Sequence, residues 1–93
     1  MTPRSWTFLT NHALVLAAVA AEPDARLQDI SGRVGITERS THGILKDLEE
    51  AGYVVITKVG RRNTYRVNDR LRLRHPMSRS TEIRQLLAVI GEG

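Results

Sequence analysis

The stretch Leu27–Gly52, LQDISGRVGITERSTHGILKDLEEAG, constrains the fold most, because its apolar positions fit two helices separated by a tight turn. Leu27, Ile30 and Val34 fall at i, i+3 and i+7, which places them on one helical face. Gly35 follows as a residue that adopts a left-handed backbone at little cost, suiting a helix stop. Ile36 plugs the turn into a core. Thr37 is a good N-cap, since its hydroxyl accepts a backbone N–H that a helix start otherwise leaves unpaired. The second helix buries Ile44, Leu45 and Leu48, and Gly52 is placed to cap its C-terminus. This is the layout of a helix-turn-helix.

The flanks complete a larger pattern. Asn11–Ala21 reads as a first helix, capped by Thr10 or Asn11 and burying Leu14, Val15, Ala18 and Val19. Pro23 and Asp24 make the next turn, with Arg26 placed for a very short strand before the second helix. After Gly52 the period changes from helical to alternating. Tyr53–Val59 and Asn63–Val67 are expected strands, joined by the polar turn Gly60-Arg61-Arg62-Asn63 as a β-hairpin. Arg70-Leu71-Arg72-Leu73-Arg74 alternates again until His75-Pro76 breaks it. Ser80–Ile90 has the spacing of a last helix, with Ser80 or Thr81 as cap and Gly91 as stop. Met1–Leu9 is a loose lead-in whose Trp6, Phe8 and Leu9 are available to pack on the domain or on a second copy. The expected fold is therefore α+β and mainly α: a three-helix core, a hairpin wing and a C-terminal helix. It forms one winged-helix domain over residues 1–93, with its core at about 10–69 and an extension over 70–93.

Composition narrows the partners. Fourteen basic against ten acidic residues give a net charge of +4, and the excess is concentrated. Between Lys58 and Arg79 there are eight basic residues, with Asp69 the only acid, so that half of the chain suits a polyanion. With no cysteine, disulfides, thiolate metal sites and cysteine nucleophiles are excluded. His12, His42 and His75 lack metal-ligand spacing, and no metal or other cofactor is expected. No nucleophile elbow, phosphate loop or HExxH motif supports an enzyme. The apolar run Ala13–Ala21 behind Arg4 has the look of a secretory signal. However, Thr10, Asn11 and His12 interrupt its approach, and a small core can hardly spare that helix. The run is also too short to cross a bilayer, so the expected location is the cytoplasm. Twelve arginines against two lysines fit the coding bias of a GC-rich bacterial genome.

In a helix-turn-helix the second helix enters the major groove of DNA. Thr37, Arg39, Ser40, His42 and Gly43 lie at or near the start of that helix, where base edges are met. Arginine is suited to a bidentate contact with guanine, and serine and histidine to donating or accepting. Lys46 lies further along, at a position suited to a phosphate. Arg61 and Arg62 at the hairpin tip suit the minor groove or adjacent backbone, with Asn63 as a turn residue and Lys58 alongside. For each of these the alternative is a solvated charged surface. Arg70, Arg72 and Arg74 fit three readings equally: tracking the DNA backbone, meeting Glu49-Glu50, or keeping an edge strand soluble.

Asp29-Ile30, Val34-Gly35-Ile36-Thr37, Leu48-Glu-Glu-Ala-Gly-Tyr53 and Val59-Gly-Arg-Arg-Asn-Thr-Tyr65 resemble bacterial winged-helix transcriptional regulators, with the closest likeness to the MarR group. The resemblance covers about Leu14–Val67, and ArsR-, PadR- and GntR-type proteins share versions of the LEEAGY step. It implies a homodimeric repressor on pseudo-palindromic double-stranded DNA, in some members responsive to a small-molecule effector. In this chain Met1–Leu9, the first helix and Arg70–Gly93 are what remains to build a dimer or an effector pocket. Ile83, Leu86, Leu87 and Ile90 are the expected dimer contacts. The rival expectation is a winged helix that docks a partner protein and does not regulate genes through DNA.

Overall fold

The computed structural model describes residues 6–90. In chain order it has α1 (Asn11–Ala21), α2 (Leu27–Val34), α3 (Glu38–Glu50), β1 (Val54–Val59), β2 (Arg62–Val67) and α4 (Ile83–Ile90). Three helices, an antiparallel two-stranded wing and a fourth helix make a winged helix-turn-helix, α+β and mainly helical. The stop expected at Gly91 lies outside the described residues, as do residues 1–5 of the lead-in.

α1 is the central element. It packs on α2, α3, β2 and α4, and it is apolar around most of its circumference, as a helix surrounded by partners must be. Val15, Leu16, Ala18 and Val19 are buried, whereas Leu14 is only half-buried. Leu16 thus takes the place expected of Leu14, because an all-round apolar helix carries little phase information. The Thr10 hydroxyl caps α1 by accepting from the Ala13 N–H at 3.1 Å. The core is completed by Ile30, Ile44, Leu45, Leu48, Tyr53, Val54, Tyr65 and Ile83. Each fully buried aliphatic side chain stabilises the fold by roughly 1.5–3 kcal/mol.

The stops and starts of α2 and α3 are local chemistry. Gly35 has φ +88° and ends α2, its N–H and that of Ile36 both donating to the Ser31 carbonyl. The Thr37 hydroxyl accepts from the Ser40 N–H at 3.0 Å to start α3. Thr41 is wholly buried, and its hydroxyl donates back to the Thr37 carbonyl at 2.9 Å. α3 ends in a Schellman motif in which Tyr53 N–H reaches the Leu48 carbonyl and Gly52 N–H the Glu49 carbonyl. Gly52 sits at φ +87°, one residue past the cap Ala51, with Tyr53 and Leu48 buried beside it.

Three expectations change. Arg26 is not in a strand: it is the extended N-cap residue of α2, and the neighbouring turn offers β2 a single main-chain bond, Tyr65 N–H to the Pro23 carbonyl at 3.0 Å. Arg70–Arg74 forms no strand either. One isolated bridge, Arg72 with Glu82, holds it, and Leu71 and Leu73 are drawn down onto the core. Finally, α4 starts at Ile83 and uses neither Ser80 nor Thr81 as cap. Gln85 instead reaches back to the Glu82 N–H at 2.8 Å, as the third helical residue does in a capping box.

Candidate nucleic-acid interface

The exposed side of α3 carries Arg39, His42, Gly43 and Lys46. Their spacing of three and four residues makes them one stripe, set opposite the buried line Thr41, Ile44, Leu45 and Leu48. Thr37 and Ser40 stand at its start. Thr37 is occupied as the cap, and its hydroxyl also donates to the Ser40 hydroxyl at 3.0 Å, fixing both side chains at the mouth of the helix. The other end of α3 is acidic, with Asp47, Glu49 and Glu50, so the basic side chains of the helix lie in its N-terminal two-thirds. Asp47 is turned aside toward α1, where it meets His12 Nε2 at 2.8 Å.

β1 and β2 pair in register from Val54–Val67 to Val59–Arg62, leaving Gly60 and Arg61 as a two-residue loop. Gly60 has φ +64° and Arg61 a negative φ, the pattern of a type II′ turn, whose twist matches that of the strands. The tip is therefore shorter than the expected turn: Asn63 belongs to β2 as its strand was expected to begin, and Arg62 joins it. Arg62 folds back, donating through Nη2 to the Asp24 carbonyl at 2.7 Å. Thr64 donates to the Asp24 carboxylate at 3.0 Å. Asp24 thus ties the wing to the α1–α2 turn, a role with no local signal in the sequence because it spans about forty residues. Arg61 is left as the basic residue at the tip. Lys58 stands across from Asn63 on the face that carries Ile56 and Tyr65, whereas Arg66 pairs with Val55 on the opposite face.

Between α3 and the wing runs a groove bordered by His42, Lys46, Arg61, Arg62 and Asn63, with Glu49 at one side. Arg26 also borders it. The sequence reading places Arg26 in a short strand and not at a site, although a basic side chain at the N-terminus of the first helix of a helix-turn-helix is suited to the DNA backbone that this helix crosses. The groove brings together the second half of the helix stripe and the wing tip, while Arg39 lies on the same stripe nearer the start of α3.

The expected dimer contacts separate. Ile83 is buried in the protomer's own core at 3% exposure, and Leu87 packs against that core. Ile83 is therefore not available to a second copy, because the tail it belongs to closes over α1. Leu86 and Ile90 remain half-buried, and Val89, which the helical spacing did not single out, is 81% exposed. Arg70, Arg72 and Arg74 are exposed and form no ion pair with Glu49 or Glu50. In the same tail the Arg84 guanidinium bonds Glu82 at 2.6 Å and holds its carboxyl below its ordinary value. Among the described residues no cluster of three or more His, Asp or Glu is placed to hold a metal ion, and no helix is long and apolar enough to cross a membrane.

Residues 9–56, just over half of the chain, match the IclR helix-turn-helix domain. The chain belongs to that family and carries an IclR-type helix-turn-helix DNA-binding domain. IclR is a different family from MarR, so the resemblance to the MarR group is corrected. Of the residues that suggested it, the LEEAGY step is a Schellman stop, which fixes how a helix ends and not which winged-helix family it belongs to. A comparison with curated proteins finds no match.

Proposed function

We propose that this member of the IclR helix-turn-helix family is a sequence-specific, non-enzymatic transcriptional regulator that acts in the cytoplasm as a homodimer on double-stranded DNA. The observation that carries the reading is the exposed stripe Arg39, His42, Gly43 and Lys46, on the same side of the domain as the Arg61 tip. α3 enters the major groove by its N-terminal part, where Arg39 and His42 meet base edges and Gly43 permits close approach. Lys46 and Arg26 contact phosphates on either side of the groove. Arg61 reaches the minor groove or its backbone, and Lys58 adds a phosphate contact. The acidic C-terminal end of α3 stays outside the duplex. Two copies, joined through the exposed side of α4 (Leu86, Val89 and Ile90), place their recognition helices on half-sites about one helical turn apart.

Titration of duplex DNA at several salt concentrations tests this reading. The expected result is affinity that falls steeply and linearly in log salt, and a variant Arg39→Ala that loses preference between sequences. Binding that is insensitive to salt, or that survives Arg39→Ala and Arg61→Ala together, would leave the protein-docking alternative.

A further inference from the structure

The groove between α3 and the wing, about 720 Å³ in volume, holds one charge of the wrong sign for a polyanion. Among the described residues that border it, Arg26, Lys46, Arg61 and Arg62 are basic, and Glu49 is the single acid. Glu49 lies three residues after Lys46 and seven after His42, so it continues the same line along the helix. It is exposed and forms no ion pair among the described residues, although basic side chains share its groove. Asp47, on the other flank of α3, is by contrast held by His12 Nε2 at 2.8 Å. A carboxylate in the last turn of a helix also opposes the helix dipole, and the last turn of α3 has no basic residue to offset it. The Glu49 carboxylate therefore weakens the helix without a compensating ion pair.

We propose that Glu49 is a specificity-determining residue, whose carboxylate repels the phosphates of any DNA strand seated out of register in this groove. The proposal rests on the DNA-reading function above and deepens it. With α3 in the major groove and the wing at the adjacent minor groove, the sugar-phosphate strand between those grooves runs through the cleft that separates α3 from the wing. Arg26, Lys46 and Arg61 attract that strand whatever its sequence, because phosphates carry no sequence information. Glu49 makes the attraction uneven. It lies about 4.5 Å beyond Lys46 along the helix, three residues at the helical rise. A strand held on Lys46, with Arg39 and His42 at the bases, stays on the basic side of Glu49. A strand displaced toward the C-terminal end of α3 meets the carboxylate. A cognate site fixes the register through its base contacts, whereas a non-cognate duplex is held by phosphates alone and samples many registers. Glu49 thus removes non-cognate poses and leaves the cognate one, which raises specificity by repulsion and not by an added contact.

The experiment titrates the full chain into two labelled duplexes of equal length, one enriched from a random library and the other a scrambled version of it, and reads fluorescence anisotropy. Glu49→Gln is compared with Asp69→Asn, which removes the same charge from an exposed position in the tail, outside the groove. Glu49→Gln should bind the scrambled duplex about fivefold more tightly, the worth of one like-charge contact at about 4 Å in water, and the enriched duplex within about twofold of the unsubstituted chain. Asp69→Asn should change both duplexes equally. The selective effect of Glu49→Gln should shrink as salt rises. Equal gains on both duplexes would reduce Glu49 to long-range charge and overturn the proposal. A loss confined to the enriched duplex would overturn it in favour of a direct contact with cytosine. No change on either duplex would overturn it by placing Glu49 outside the path of the strand. A library that yields no enriched duplex sinks the DNA-reading function itself, and this proposal with it.

Discussion

Gly43 is where helix stability and the proposed DNA contact can be told apart at a single residue. It lies within α3, where glycine costs the helix about 1 kcal/mol relative to alanine. A Cβ added there meets nothing within 4 Å, so nothing in the fold requires the glycine. Gly43→Ala should therefore raise stability by about 1 kcal/mol in urea unfolding while weakening specific DNA binding, if close approach to the duplex is its purpose. Gly32→Ala, also in open space but on α2, should give a similar stabilisation and leave binding unchanged. Equal effects of the two on binding would remove Gly43 from the interface. Glu82 offers a pH prediction in the tail. Its carboxyl is held below the ordinary value by the Arg84 hydrogen bond, so it binds protons more weakly folded than unfolded. The resulting stabilisation is present above the unfolded carboxyl range and is lost as pH falls through the depressed folded value. Carboxyl NMR titration of Arg84→Ala should show the Glu82 midpoint moving back up.

The wing shows how an element depends on a residue far away in sequence. Asp24→Ala removes a negative charge from the domain, which by long-range electrostatics alone would strengthen attraction to DNA. It also removes the carboxylate that accepts from Thr64. If that tie sets the pose of the wing, Asp24→Ala should weaken DNA binding and make it insensitive to a further Arg61→Ala, readable in a double-mutant cycle. Tighter binding would show that the wing needs no such tie. α1, α2, α3 and the hairpin were legible in the sequence because their signals are local: caps at Thr10 and Thr37, glycines at φ above +60° at 35, 52 and 60, and apolar periodicity. What the sequence leaves open or misplaces is set by tertiary contact. Arg70–Arg74 alternates like a strand but has only Glu82 to pair with, and Ile83 carries the signature of an interface yet is spent on the protomer's own core.

At the scale of the whole molecule, basic residues from three separate elements gather around one groove: Arg26 before α2, Lys46 on α3 and Arg61 at the wing tip. The helix stripe was readable from spacing alone. The roles of Arg26 and Asp24 were not, because each depends on where the α1–α2 turn meets the wing. The central claim is that α3 reads DNA sequence, and selection of bound duplexes from a random library by the full chain tests it most directly, with the winner titrated at several salt concentrations. The account predicts an enriched pseudo-palindrome with half-sites about one turn apart, and an enrichment lost in Arg39→Ala. Salt-sensitive binding with no enriched sequence, or no binding at low salt, would contradict it.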